Sequence, residues 1–241
     1  IFMILGSFPF LVLAQTNLKS PFATIKDHQV KIFLLVLIVS IFLIYFFAEQ
    51  YLSGTRIDKI IAISFNTISI ISGTGFVSEN FENWGNYASI LFLILMFIGG
   101  CAGSTTGGLK IFRFQILFKF ILIHLRKISQ PHAIIVGNFN GKKIQDSTYE
   151  SVMIFFFVYI LTFALSTLLL SFSGLDFVTC FSAAASAISN VGPGLGEIIG
   201  PNGNYSSLSD YSKIILIFTM FLGRLEMLTI LVLLLPSFWK N

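Results

Sequence analysis

Apolar and polar positions along this chain come in long blocks. Ile32 to Ala48 is an unbroken apolar run that ends at Glu49. With its flanks it suffices to cross a bilayer, which takes roughly 20 apolar residues. Ile60 to Ser78, containing "IAISFNTISIISGTGFVS", is uncharged but too rich in Ser, Thr, Asn and Gly for an ordinary lipid-facing span. A third, strongly apolar piece starts at Tyr87 and ends at a glycine cluster. The same order then recurs. Ser151 to Leu175 is an uncharged span, Phe177 to Gly196 is semi-polar and glycine-terminated, and Ile214 to Trp239 is a span interrupted by Arg224 and Glu226.

Sliding one copy onto the other pairs Ser69 with Ser186, Ser72 with Ser189 and Gly75 with Gly192; at a slightly larger offset "LMFIGG" faces "TMFLGR". Similarity at two places in matching order argues for an internal repeat. Each semi-polar segment is too short to cross twice as helices, so it enters partway and returns. Non-helical backbone at that depth is tolerated only inside protein or beside a water-filled cavity. The expected solution is a helix from about Asp58 to Ser72, and another from about Asp176 to Ser189, each followed by an extended return. Both starts carry an Asp, which suits a helix N-terminus.

Composition fixes the class. Of 241 residues, 55% are hydrophobic and 11% charged, against about 25% charged in soluble domains. The predicted fold is an all-α polytopic membrane protein. Lys19, Lys26 and Lys31 occupy one polar segment, and Lys110, Arg113, Lys119, Arg126, Lys127, Lys142 and Lys143 surround another. Lys and Arg mark cytoplasmic loops, which puts 16–31 and 119–149 inside and 49–59, 77–86 and 194–212 outside. The net charge of +4 is thus a topology signal, and nucleic acid is not implied. The chain divides into the end of a preceding transmembrane helix (1–15), a loop (16–31), a span–pore helix–span unit (32–118), a basic linker (119–149) and a second such unit (150–241). Cys101 and Cys180 read as small buried residues. His28, His124 and His132 lack metal-ligand spacing, and no catalytic grouping of Ser, Cys, His or carboxylate appears.

The returns read "SGTGF" and "SNVGPG". Gly75 and Gly192 adopt positive φ at little cost, which lets consecutive carbonyls face one side as a cation site of backbone oxygens requires. The C-terminal end of a half-membrane helix also favours a cation. The competing reading is a tight turn in a packed loop. A second anomaly is the break "GGCAGSTTGG" after the third apolar piece. Its glycines permit varied backbone angles, and its hydroxyls bond freed backbone groups; with few bulky anchors it should open at low cost. A phosphate loop needs a strand before it and Lys directly after the last Gly; here Leu109 intervenes. A plain kink is the remaining rival. Arg224, costly in a membrane helix unless it faces a cavity or partner, aligns with Gly100 and is expected to bond loop groups near Ser104 to Thr106. The alternative is an ion pair with Glu226, although residues two apart diverge on a helix.

"GGCAGSTTGGLK", "SNVGPGLGE" and "FLGRLEMLTILVLLLPSFW" resemble the potassium uptake family of TrkH, KtrB and plant HKT proteins, and TrkH in particular. Members are built from four span–pore helix–span units, and the resemblance covers nearly all of this chain but only the last two units. It implies a filter at Gly73, Thr74, Gly75 and Phe76 together with Asn190, Val191, Gly192 and Pro193, with K+ held there as the transported ion. It also implies an intramembrane gate from Gly99, Gly100, Gly103, Ser104, Thr105, Thr106, Gly107 and Gly108, joined by Arg224. Further implications are a bacterial inner-membrane location, a homodimer, and a cytosolic TrkA-like ring subunit that carries the nucleotide, with no covalent cofactor on this chain. The sequence departs from a full TVGYG filter: Asn190 and Gly73 differ, and Pro193 has no counterpart in the first copy. A shorter filter that also passes sodium is one alternative; a non-conducting fragment or membrane scaffold is another.

Overall fold

The computed structural model describes residues 1–18, 24, 27–130, 137–139, 142–225, 227–233 and 236–240. It is mostly helical: α1 (Phe2–Gly6), α2 (Phe10–Leu18), α3 (His28–Ala48), α4 (Arg56–Ile71), α5 (Asn86–Phe97), α6 (Ile111–Ser129), a hairpin of β1 (Asn138–Phe139) and β2 (Lys142–Lys143), then α7 (Asp146–Ser171), α8 (Phe177–Ser189), α9 (Asp210–Arg224) and α10 (Leu228–Leu233). The order long helix, shorter helix, helix occurs in α3–α5 and again in α7–α9.

Helix length separates the roles. At 1.5 Å per residue, α3 with the 3₁₀ turn after it and α7 reach about 36 and 39 Å, enough for a hydrocarbon layer of about 30 Å. These are the two helices long and apolar enough to cross a membrane among the described residues. The 16-residue α4 and 13-residue α8 reach only about 24 and 20 Å. Their starts are fixed by local chemistry. Thr55 and Asp58 form a reciprocal capping box on α4, and Asp176 accepts the Thr179 N–H on α8. The hydrogen bonds from Thr55 hold the Asp58 carboxyl below the usual carboxylate range, so this cap is complete above about pH 4 and is lost as acid protonates Asp58.

Burial explains the rest. From Thr179 to Ser189 every residue of α8 is buried except Phe181, which is half-buried. Its side chains there are mainly Ala and Ser, and small residues let neighbouring backbones come close. Helices α7 and α9 pack along it and are themselves joined by Ser166 Oγ and Thr219 Oγ1 at 2.8 Å. The first half packs around Phe33, Ile63, Phe92 and Met96, all essentially inaccessible. In contrast, Leu35, Ile38, Phe42 and Phe46 of α3 and Phe157, Ile160 and Leu168 of α7 are exposed. Such apolar outer faces suit lipid rather than water.

The element boundaries differ from the sequence expectation in four places. The 1–15 segment is not one helix tail: Ser7, Phe8 and Pro9 separate α1 from α2, because Pro9 carries no N–H to continue the first helix. The division at 118/119 falls inside α6. Arg126 and Lys127 sit in its last turn, where cations favour the helix, and charge alone therefore overstated the linker; α7 likewise starts at Asp146, ahead of position 150. Finally, Ile214 to Trp239 is not continuous, since α9 ends at Arg224 and α10 starts at Leu228. The 16–31 loop lies partly outside the described residues, as do His132 and Glu226.

Because Ala184 is fully buried in α8, Ala184→Leu should overpack the helix and cost about 1–3 kcal/mol. Thermal melting of the full-length protein checks this, with exposed Phe157→Leu expected to leave the midpoint within experimental scatter.

Candidate functional site

The ends of α4 and α8 are built alike. After α4, the Gly73 N–H bonds the Ile70 carbonyl at 3.0 Å and the Thr74 N–H bonds the Ser69 carbonyl at 3.0 Å. After α8, the Asn190 N–H bonds the Ala187 carbonyl at 3.1 Å and the Val191 N–H bonds the Ser186 carbonyl at 3.0 Å. These are Schellman-type endings, which need a left-handed residue just past the helix. Gly73 supplies it at φ +65° and Asn190 at φ +54°; Asn is the residue other than Gly that tolerates that region best. Two residues later Gly75 and Gly192 are again at positive φ, +73° and +119°. Such alternation of backbone handedness is what a row of carbonyls facing one side requires.

The two returns touch. A Cβ on Gly75 would run into the Val191 carbonyl oxygen, so the first return passes directly against the second. Among the described residues, no hydrogen-bond donor reaches the carbonyl oxygens of Gly73, Thr74, Gly75 or Val191. The Gly192 carbonyl accepts from the Tyr205 hydroxyl at 2.8 Å, and the Gly192 N–H bonds Ser186 Oγ at 3.0 Å. Phe76 is exposed and Pro193 half-buried, so their side chains border the returns. Across the top, the Glu82 carboxylate accepts the Gly196 N–H at 2.6 Å and ties the two halves together.

Beneath the returns lies the break between α5 and α6. It folds back on itself: the Gly99 N–H bonds the Leu109 carbonyl at 2.9 Å, and the Leu109 N–H bonds the Phe97 carbonyl at 3.0 Å. Thr106 Oγ1 accepts the Gly100 N–H at 2.9 Å, and Ser104 Oγ contacts both the Cys101 carbonyl and Thr106 Oγ1. Gly107 rests against the last carbonyl of α8, where a Cβ would strike the Ser189 oxygen. The side chain of Ser189 is in turn held by the Tyr159 hydroxyl at 2.7 Å.

The loop is far better anchored than its composition implied. Thr105 bonds the Gly6 carbonyl through both its N–H and its hydroxyl, the Cys101 N–H reaches the Ser7 carbonyl at 2.9 Å, and the Phe10 N–H reaches the Gly103 carbonyl at 3.0 Å. Gln29 accepts the Ala102 N–H at 2.9 Å, and Lys110 Nζ donates to the Ser104 carbonyl at 2.9 Å. Arg224 Nη1 donates to the Thr105 carbonyl at 3.0 Å. Nearby, α9 meets α8 and its return: Asn190 Nδ2 donates to the Met220 carbonyl at 3.1 Å, and Gly223 lets α9 close on the Ile188 carbonyl. Each such bond contributes about 1 kcal/mol net, so loosening the loop is a concerted exchange of many bonds for water. The anchors Gly6, Ser7 and Gln29 and the supports Tyr159 and Tyr205 were not singled out from sequence. The one signal available was "GSFP" at 6–9, a polar break in an apolar run much like the glycine cluster it holds.

The sequence pattern of the TrkH family, described as cation transport proteins, matches residues 1–240. The Trk system potassium uptake protein TrkI of Halomonas elongata is 40% identical over 243 residues, which cover 100% of this chain and 49% of TrkI. TrkG of Escherichia coli, of the same description, is 32% identical over 248 residues, covering 100% of this chain and 49% of its own length. The crystal structure of the potassium transporter TrkH from Vibrio parahaemolyticus superposes with a TM-score of 0.90 at 30% identity, over 99% of this chain and 51% of that one. The chain thus spans about half the length of the curated relatives it matches.

Gly107 is not at positive φ, so Gly107→Ala reports only the close approach to Ser189. It should cost about 1–3 kcal/mol and lower the melting midpoint of the full-length protein; a midpoint equal to wild type would show that the loop does not seat there.

Proposed function

This chain belongs to the TrkH family of cation transport proteins, and on that premise we propose that it forms half of the pore of a potassium uptake protein. The observation that carries the reading is the contact of two like-built returns, each leaving a short helix end, with glycine main chain against main-chain oxygen. The pore needs two further units, and the chain length relative to TrkI and TrkH fits their supply by the rest of a longer protein. In this reading α3, α5, α7 and α9 frame the pore within the membrane, α4 and α8 are its half-membrane helices, and the two halves are copies of one unit.

A dehydrated K+ loses its water shell at Gly73, Thr74, Gly75 and Phe76 and at Asn190, Val191, Gly192 and Pro193, with carbonyl oxygens replacing hydration. The negative ends of α4 and α8 point at it. The 98–110 loop then blocks the path below, with Arg224 adding positive charge where a cation would pass. Tyr205 fixes the Gly192 carbonyl, and Asn190 stands where the first copy has Gly73, so the two returns offer unlike surroundings to the ion. That asymmetry favours modest discrimination between K+ and Na+. The protein sits in the bacterial cytoplasmic membrane as a homodimer; the basic face of α6 and the 138–143 hairpin is the natural seat for a cytosolic nucleotide-binding ring, which holds the nucleotide. A scaffold role would leave unexplained why, among the described residues, no donor reaches the carbonyls of Gly73, Thr74, Gly75 and Val191.

Expression of the intact protein should rescue potassium-limited growth, and Gly75→Ala or Gly192→Ala should abolish rescue while the protein still reaches the membrane. Growth equal to wild type in both variants would sink the filter assignment. Arg224→Ala removes one exposed charge-assisted bond of about 1 kcal/mol, so the loop should open roughly fivefold more often; potassium flux from vesicles measures it, and unchanged flux would take Arg224 out of the gate.

A further inference from the structure

The two returns are pinned differently at matching positions. In the second copy both polar groups of the Gly192 main chain are held by side chains. Its N–H donates to Ser186 Oγ at 3.0 Å, and its carbonyl accepts from the Tyr205 hydroxyl at 2.8 Å. In the first copy the matching Gly75 N–H donates to the Ser69 carbonyl at 3.3 Å. Ser69 stands where the second copy has Ser186 and is fully buried, yet its Oγ has no hydrogen-bond partner among the described residues. The Gly75 carbonyl likewise meets no donor among them. Of the two matching hydroxyls, only that of Ser186 holds its return.

Tyr205 is placed as a strut. It opens a short 3₁₀ turn, Tyr205–Ser207, and the preceding Asn204 side chain accepts the Ser206 N–H at 2.9 Å. Its ring packs against the cluster that contains Leu170, Ala183, Ile199 and Leu208, which restricts where the hydroxyl can reach. Burial raises the Tyr205 pKa above its ordinary value, so the hydroxyl stays a donor throughout the physiological range. Gly192 itself is exposed, and its carbonyl keeps a second lone pair beside the one that Tyr205 takes.

We propose that Tyr205, with Ser186, sets the preference for K+ over Na+ by fixing the Gly192 carbonyl, an assignment that rests on the filter reading above and locates the source of its selectivity. Both are positioning residues that act through Gly192. Na+ is the smaller ion, and binding it requires carbonyl oxygens to draw further inward and to present a stronger field. A carbonyl tethered by a hydroxyl cannot follow the smaller ion, and sharing a lone pair with that hydroxyl weakens its field. Cavity size and field strength, the two sources of selectivity open to a carbonyl filter, therefore act in one direction here. The untethered carbonyls of Gly73, Thr74 and Gly75 adapt to either ion. Discrimination belongs to the second return.

The full-length protein in a planar bilayer between K+ and Na+ solutions tests this, with the reversal potential giving the permeability ratio. Tyr205→Phe removes the hydroxyl and keeps the ring. The K+/Na+ ratio should fall about threefold, the effect of one hydrogen bond, while K+ still passes. Ser186→Ala should shift the ratio the same way, and it decides the matter if Tyr205→Phe fails to fold. Ser69→Ala keeps the main-chain bonds of the first return and removes a hydroxyl without a partner, so its ratio should equal that of wild type. An unchanged ratio in Tyr205→Phe overturns the assignment, as does an equal fall in Ser69→Ala. A wild-type protein that conducts without preferring K+ also overturns it and leaves the pore standing. A wild-type protein that passes no cation overturns the pore reading, and the assignment falls with it.

Discussion

Everything near the centre of this molecule depends on the last turn of α8 being approached from three directions by bare backbone. Gly75 comes against the Val191 carbonyl, Gly107 against Ser189 and Gly223 against Ile188. No side chain fits in any of these places, so the return, the break between α5 and α6, and α9 meet main chain to main chain. Close approach of this kind excludes water and lipid without apolar bulk, and it keeps peptide dipoles in view of one another. The Ala and Ser run of α8 serves the same end along its length, since it lets α7 and α9 close in.

Hydrogen bonding then fixes what the close contacts permit. Loop and return backbone would be orphaned in an apolar layer, where each unpaired group is expensive. The structure answers with polar contacts between elements far apart in sequence: Thr105 to Gly6, Ala102 to Gln29, Gly196 to Glu82, Asn190 to Met220. The result joins the N-terminal segment, the break and both halves into one set of mutually dependent positions. Any displacement of the loop works against that set, whatever freedom its five glycines have.

The sequence displays the architecture well because membranes impose coarse rules. Apolar block length distinguishes α3 and α7 from α4 and α8, and serine and glycine spacing marks both helix ends; the observed α4 and α8 stop within one residue of the expected Ser72 and Ser189. Arg224 was also legible, as a costly charge needing a partner near Thr105. What escaped notice were contacts made by ordinary residues. Gln29, Tyr159 and Tyr205 carry no pattern of their own, and their roles follow from tertiary placement alone. Charge likewise misplaced the boundary at 118, since Lys119, Arg126 and Lys127 ride on a helix that continues for several turns. Pro9 was visible, but its effect on α1 and α2 belongs to backbone hydrogen bonding that composition does not report.

The final turn of α9 is worth following outward. Within five residues it holds the Met220 carbonyl that receives Asn190, the Gly223 that seats on Ile188, and the Arg224 that grips Thr105. One stretch therefore grasps the return after α8 and the 98–110 loop at once, like a yoke across two shafts. A slide or roll of that yoke by an ångström is felt at both levels together, and coupling of this sort runs equally in either direction.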